Sequence, residues 1–174
     1  MKYDFFVCQR EQDYHPESTC GVASLMMLLK FHGLLGNLSF RDLADQLGFA
    51  VSPVRKGYPE SGDRYGIYPE DLYRFLVRRE LPFRVSFFRD EWEAGLKRGP
   101  IMALMVDHEE GGRFAPYGHW AVLVDKKNGV FTYLDPWYSA KTGEYVRTIA
   151  EDDFYRHYTG SACQILPDLA GTKR

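Results

Sequence analysis

The chain has 174 residues, 45% hydrophobic and 16% aromatic, which suits one domain with a sizeable core and excludes a disordered or repetitive protein. Lys and Arg number 22 against 24 Asp and Glu, a formal charge of -2 with the basic residues scattered rather than striped, so nucleic acid is not an expected partner. No run approaches the roughly 18 apolar residues of a membrane span, and Met1 to Phe6 is too short and too soon acidic for a signal peptide; a soluble, cytoplasmic protein with no integral membrane segment is expected.

Tyr3 to Cys8 has the aromatic and β-branched character of a short strand. The polar stretch from Gln9 to Glu17 reads as a loop, with Pro16 pushing His15 towards an extended conformation. A helix then starts at Cys20, with Ser18 or Thr19 as its N-cap. From Val22 to Leu29 every residue except Ser24 is apolar, so this helix has no wet face and belongs inside the protein; Lys30 and His32 mark its emergence and Gly33 its stop.

Ser39 to Asp42 reads as a capping box opening a second helix to about Leu47, stopped by Gly48. Residues 49 to 67 form a long loop rich in Gly and Pro. A third helix opens at Pro69, buries Leu72, Phe75 and Leu76, and ends at Pro82. Phe83 to Phe88 alternates as a strand, Asp90 and Glu93 mark a short helix, and Ile101 to Val106 reads as a central strand.

Residues 107 to 118 form a glycine-containing loop, and beyond it His119 to Asp125 and Val130 to Asp135 are two strands of a hairpin joined through Lys126-Lys127-Asn128-Gly129. Glu144 to Ile149 is a further strand, Glu151 to Tyr158 a short helix, and Ala162 to Leu166 a closing strand. Helices first and an antiparallel sheet after them make an α+β fold. A single domain over residues 1–168 with a polar tail at 169–174 is expected.

Three cysteines, Cys8, Cys20 and Cys163, cannot all pair and show no disulfide spacing, which suits a reducing compartment. Neither CxxC nor HxxxH spacing is present, so no metal site is expected. Cys20 has two readings. It is either a small hydrophobe opening a core helix, or a nucleophile, because unpaired N–H groups and the helix dipole favour negative charge in a first turn.

The hairpin discriminates between partners for such a thiol. With a two-residue Asn128-Gly129 loop, Asp135 pairs opposite Val122 and points away from His119. With a three-residue loop, Lys127-Asn128-Gly129, in which Gly129 takes the left-handed position of a bulged turn, Asp135 lies opposite Ala121 on the face of His119. The two are then diagonal neighbours about 7–8 Å apart at the backbone. Asp125 shares that face but lies about 20 Å along the strand. Cys20, His119 and Asp135 are together the parts of a nucleophile, its base and its orienter; His15, His32, His108 and His157 lack such a partner and are expected at the surface.

The sequence resembles the papain-like cysteine peptidases, and among them the bacteriocin-processing (double-glycine leader) peptidases and their stand-alone relatives. The likeness rests on Cys20 to Met27, Gly118 to Val124 and Leu134-Asp135-Pro136, with Gly66 to Leu72 and Gly99-Pro100-Ile101 between them, and covers most of residues 9 to 160. It implies a bacterial protein with a papain-like fold, Cys20 as nucleophile, His119 as general base, Asp135 as orienting acid, no cofactor, and a peptide or protein substrate. It also implies a glutamine whose amide joins the Cys20 N–H in an oxyanion hole. The usual position, six before Cys20, holds Tyr14; Gln12 is the preferred candidate and Gln9 the alternative.

Hydrolysis of a peptide or amide bond through an acyl-enzyme is the implied reaction. An acyltransferase, transglutaminase or glutamine deamidase could use the same triad, and an inert peptidase-like binding module is the third alternative. The loops at 49–67 and 108–118, with Trp120 and Trp137, are expected to wall the substrate cleft.

Overall fold

The computed structural model describes residues 3–16, 18–49, 66–106, 109–110, 113–114 and 118–166. Most of the long loop at 49–67, His108, most of the loop before Gly118, and the tail at 169–174 lie outside the described residues.

Helix α1 spans Cys20–Phe31 and is buried without a break from Cys20 to Leu29, as its apolar run requires. Its end is a Schellman motif: Gly33, at φ 66°, donates to the Lys30 carbonyl, and Leu34 to that of Leu29. Helix α2, Phe40–Gln46, has the expected capping box between Ser39 and Asp42. Helix α3, Pro69–Arg78, buries Leu72, Phe75 and Leu76. These helices come early in the chain, and α1 lies against the sheet that follows.

That sheet has six strands in the order β1-β8-β2-β5-β6-β7, every pair antiparallel. The strands are β1 Phe83–Arg84, β2 Ile101–Met105, β5 His119–Lys127, β6 Val130–Leu134, β7 Val146–Ala150 and β8 Tyr158–Ile165. A separate ribbon pairs β3, Glu109–Glu110, with β4, Arg113–Phe114, inside a stretch expected to be loop. Short helices α4, Trp92–Leu96, and α5, Glu151–His157, complete the elements among the described residues.

Two apolar clusters sit on the sheet. Met102, Trp120, Val122 and Leu134 face α1 and its neighbours, while Ala103, Ala121, Leu123 and Phe131 pack with Trp92 and Phe154. Alternation along β5 therefore feeds both cores, which explains its continuous burial from Trp120 to Leu123.

Besides that ribbon, and a closing strand that begins at Tyr158 rather than Ala162, four local expectations change. Tyr3 to Cys8 forms no strand, because Phe6, Val7 and Cys8 are buried consecutively rather than alternately, and the chain turns into a 3-10 helix at Gln9–Glu11. His15 is not extended but at φ 46°, and its carbonyl accepts from Ser18 N–H and the Thr19 hydroxyl. After Arg84 the expected strand is broken by Glu91, whose carboxylate accepts the Phe88 N–H and pairs with Arg84. That residue, not Asp90, immediately precedes α4.

The fourth concerns the hairpin. Lys127 pairs directly with Val130, so the loop is the two residues Asn128 and Gly129, both left-handed at φ 52° and 73°, a type I′ turn. Yet Val122 pairs with Leu134, because the register slips by one between Leu123 and Asp125. Val124 is the extra residue, a β-bulge. The offset assigned to a three-residue turn arises instead within β5, and it continues the ladder with Asp135 opposite Ala121.

Candidate active site

Thr19 occupies the N-cap of α1, but its hydroxyl donates back to the His15 carbonyl and makes no cap bond. The first-turn N–H groups around Cys20 thus have no side-chain cap and no intrahelical acceptor. Two contacts dock this turn on β5. The Ser24 hydroxyl, the one polar group in the apolar run, donates to the Trp120 carbonyl at 3.1 Å. Gly21 lies where an added Cβ would come within 2.3 Å of Ile67 Cγ1 and 2.9 Å of Trp120 Cδ1, so only glycine permits this approach.

His119, the first residue of β5, has both Asp135 and Cys20 as interaction partners. Nε2 is 2.9 Å from Asp135 Oδ1, with the histidine side chain 15% exposed and the aspartate fully buried. The Cys20 side chain interacts electrostatically with the same imidazole, whose Nε2 is engaged by Asp135. Burial acts against a charged imidazole, but the Asp135 carboxylate and the Cys20 side chain outweigh it and hold the His119 pKa well above the ordinary histidine range.

Asp135 is oriented in turn. Its Oδ1 also accepts the Trp137 N–H at 3.0 Å, an Asx-turn, and its own N–H donates to the Tyr145 carbonyl at 2.8 Å. The Gln9 N–H donates to the Pro136 carbonyl at 2.8 Å, Arg10 lies 5.0 Å over the Trp137 ring, and Ser139 donates to Glu11 at 2.5 Å. The 3-10 helix is thereby strapped to the turn that carries the acid.

The structure thus brings Cys20, His119 and Asp135 together. Of the two glutamines, Gln12 is partly exposed and its amide donates to the Cys8 carbonyl at 3.0 Å. Gln9 is 1% exposed and its amide donates to the Pro16 carbonyl at 2.7 Å. Cys8 and Cys163 are free and buried, and burial pushes both thiols up. Trp120 does not wall a cleft: it is 1% exposed and its indole N–H donates to the Ile67 carbonyl at 3.0 Å. Exposed His15 and partly exposed His32 and His157 stand apart; His157 bonds to the Val106 carbonyl.

Sequence reasoning missed the Trp137 N–H and the strap. Asp-Pro-Trp carries the signal for the first, since an aspartate before proline favours an Asx-turn; the strap joins distant segments and leaves no local pattern. Among the described residues no His, Cys, Asp and Glu cluster could hold a metal, and no helix is long and apolar enough to cross a membrane.

Solved structures share this fold. A putative C39-like peptidase from Bacillus anthracis superposes with a TM-score of 0.68 at 15% identity, covering 94% of this chain and 95% of that one. The peptidase domain of Streptococcus ComA, a bi-functional ABC transporter involved in quorum sensing, gives 0.63 at 15% identity over 92% and 96%. A double glycine motif protease from an AMS/PCAT transporter, in complex with its leader peptide, gives 0.56 at 16% identity over 86% and 84%. A comparison with curated proteins finds no match. Residues 5–166, which include the whole cysteine, histidine and aspartate cluster, match the model of the Peptidase_C39 like family, and the chain belongs to that family, whose function is of cysteine-peptidase type.

Proposed function

We propose that this protein is a thiol hydrolase that cleaves a peptide or amide bond, with Cys20 as nucleophile, His119 as acid and base, and Asp135 as the group that orients the histidine. The observation that carries the reading is one imidazole with two partners, Asp135 Oδ1 at 2.9 Å from Nε2 and the Cys20 side chain, which interacts with the same ring and raises its pKa. A raised His119 pKa favours the imidazolium that a thiolate requires as its partner.

The Cys20 sulfur attacks the acyl carbon, and the carbonyl oxygen takes up negative charge. The Cys20 N–H and a glutamine amide receive it. The His119 proton passes to the leaving amine as the carbon–nitrogen bond breaks, leaving an acyl thioester. Neutral His119 then takes a proton from water, whose oxygen attacks the thioester, and the sulfur leaves as thiolate as the acid product departs, restoring the thiolate–imidazolium pair.

For the amide donor the expected Gln12 has a rival. Gln9 is buried and its backbone is bonded to the residue after Asp135, which supports it over the partly exposed Gln12. Loss of an oxyanion donor costs about 100-fold to 1000-fold in kcat, so comparing Gln9→Ala with Gln12→Ala assigns the role.

A peptide substrate is supported by the family and by the leader peptide bound to the double glycine motif protease of the same fold. The deciding experiment is alkylation of intact protein by iodoacetamide from pH 4 to 9, read by peptide mass spectrometry. Rapid modification of Cys20 at pH 6, where an ordinary thiol titrating near about 8.5 is protonated, and its loss in His119→Ala, support the reading. Cys20 as inert as Cys8 and Cys163 would reject it in favour of a binding module. Incorporation of an added amine rather than water into the product would reassign the reaction to acyl transfer.

A further inference from the structure

Asp135 has a base on each side of its strand. Towards β5 the ladder ends at Leu134 opposite Val122, and its continuation by one residue sets Asp135 opposite Ala121 with His119 as the diagonal neighbour, 2.9 Å away from Nε2 to Oδ1. Towards β7 the Asp135 N–H bonds to the Tyr145 carbonyl, Tyr133 pairs with Arg147, and Arg147 is the diagonal neighbour. With a side-chain period of two, His119, Tyr133, Asp135 and Arg147 share one face. Diagonal backbones are about 7–8 Å apart, a gap an arginine side chain spans.

The guanidinium is held there. It lies 4.6 Å over the Tyr138 ring, and it interacts electrostatically with Tyr133, the residue it pairs with across the ladder. Tyr138 is tied to the acid through its own N–H, 3.3 Å from the Asp135 carbonyl. The groups around Asp135 are His119 with Cys20 behind it, Tyr133 from β6, Tyr138 from the following turn and Arg147 from β7; Arg10 over Trp137 and Glu11 on Ser139 lie at the rim of the same turn. The Arg147 guanidinium interacts with the Asp135 charge.

We propose that Arg147 is a positioning residue for Asp135: fixed between Tyr133 and Tyr138, its positive charge keeps the buried carboxylate ionised and available to His119. Burial alone disfavours a charged carboxylate, and an opposite charge close by reverses that preference. Arg147 stands across the ladder from Tyr133, and its route to the chemistry runs through Asp135. The inference rests on Asp135 being the orienting acid, and the test separates the two.

The Asp135 carboxyl carbon is titrated by 13C NMR in the unmodified protein and in Arg147→Met, Arg147→Gln and Arg147→Lys, alongside the pH profile of Cys20 alkylation. The neutral variants are expected to raise the carboxyl midpoint by about one pH unit or more. The acid limb of alkylation should move up with it, while Arg147→Lys stays near the unmodified values. Should the methionine variant fail to fold, the glutamine variant keeps a polar chain of comparable reach and carries the test. Unchanged midpoint and limb in a folded Arg147→Gln, or a lysine variant no better than glutamine, overturns the inference. Asp135→Asn is the control. If it abolishes Cys20 reactivity while Arg147→Gln changes nothing, only the arginine inference fails; if it leaves reactivity intact, the reading of Asp135 fails and takes the inference with it.

Discussion

Val124, the extra residue of β5, sets where Asp135 stands on the next strand. Without the bulge the two-residue turn would put Asp135 opposite Val122, on the face away from His119. Deletion of Val124 removes only the unpaired residue and leaves Leu123 against Tyr133, so it is expected to keep the His119–Asp135 contact and rapid Cys20 alkylation. Deletion of Leu123 and Val124 together moves the ladder by one, sets Asp135 opposite Trp120 on the face away from His119, and should abolish rapid alkylation. A double-deletion variant that folds and keeps full reactivity contradicts the account.

Gly21→Ala sets two effects against each other. Alanine gains about 1 kcal/mol of helix propensity over glycine, but its Cβ would fall 2.3 Å from Ile67 Cγ1 and 2.9 Å from Trp120 Cδ1. Overpacking of this kind costs about 1–3 kcal/mol. Net destabilisation is expected in urea unfolding, together with slower Cys20 alkylation because the helix start is pushed off β5.

Stability should depend on pH through His119. Its folded pKa is raised above the unfolded value of about 6.5, so the contribution is fully present below pH 6.5 and is lost as pH rises through the folded pKa. The stability difference between the unmodified protein and His119→Phe should thus shrink between neutral and alkaline pH. Denaturant midpoints at pH 6.5 and 9.5 check this; a difference that grows over that interval has the wrong sign.

Gln164 is fully buried and donates to the carbonyls of Gly95 and Gly99 at 2.7 and 3.0 Å, fastening the end of α4 to β8. Gln164→Leu leaves two carbonyls without this donor, at about 1–3 kcal/mol each where they stay dry. A fall in melting temperature with Cys20 reactivity retained is expected from thermal unfolding paired with alkylation.

What the sequence disclosed divides by range. The capping box at Ser39, the Gly33 stop, and the buried helix behind Cys20 are written in a few adjacent residues and appear as expected. The pairing of His119 with Asp135 was legible as a requirement, but its cause was misplaced. Val124 is an ordinary β-branched residue, and nothing in its identity marks a bulge, whereas Asn128-Gly129 advertises a turn. The strap from Gln9 to Glu11 and the flank at Arg147 depend on contacts across most of the chain or across a ladder, which no local period records.

The sheet order has a consequence for synthesis and folding. β8, the last strand, lies between β1 and β2, and β2 is the neighbour of β5, which begins with His119. A nascent chain can form α1 and the β5–β6 hairpin locally, but the slot beside β2 stays open until Tyr158–Ile165 arrives. Until then one edge of β2 offers unpaired N–H and C=O groups to any other extended chain. Folding is accordingly slow to close, and chains that end before Tyr158 should aggregate rather than accumulate as a smaller soluble domain.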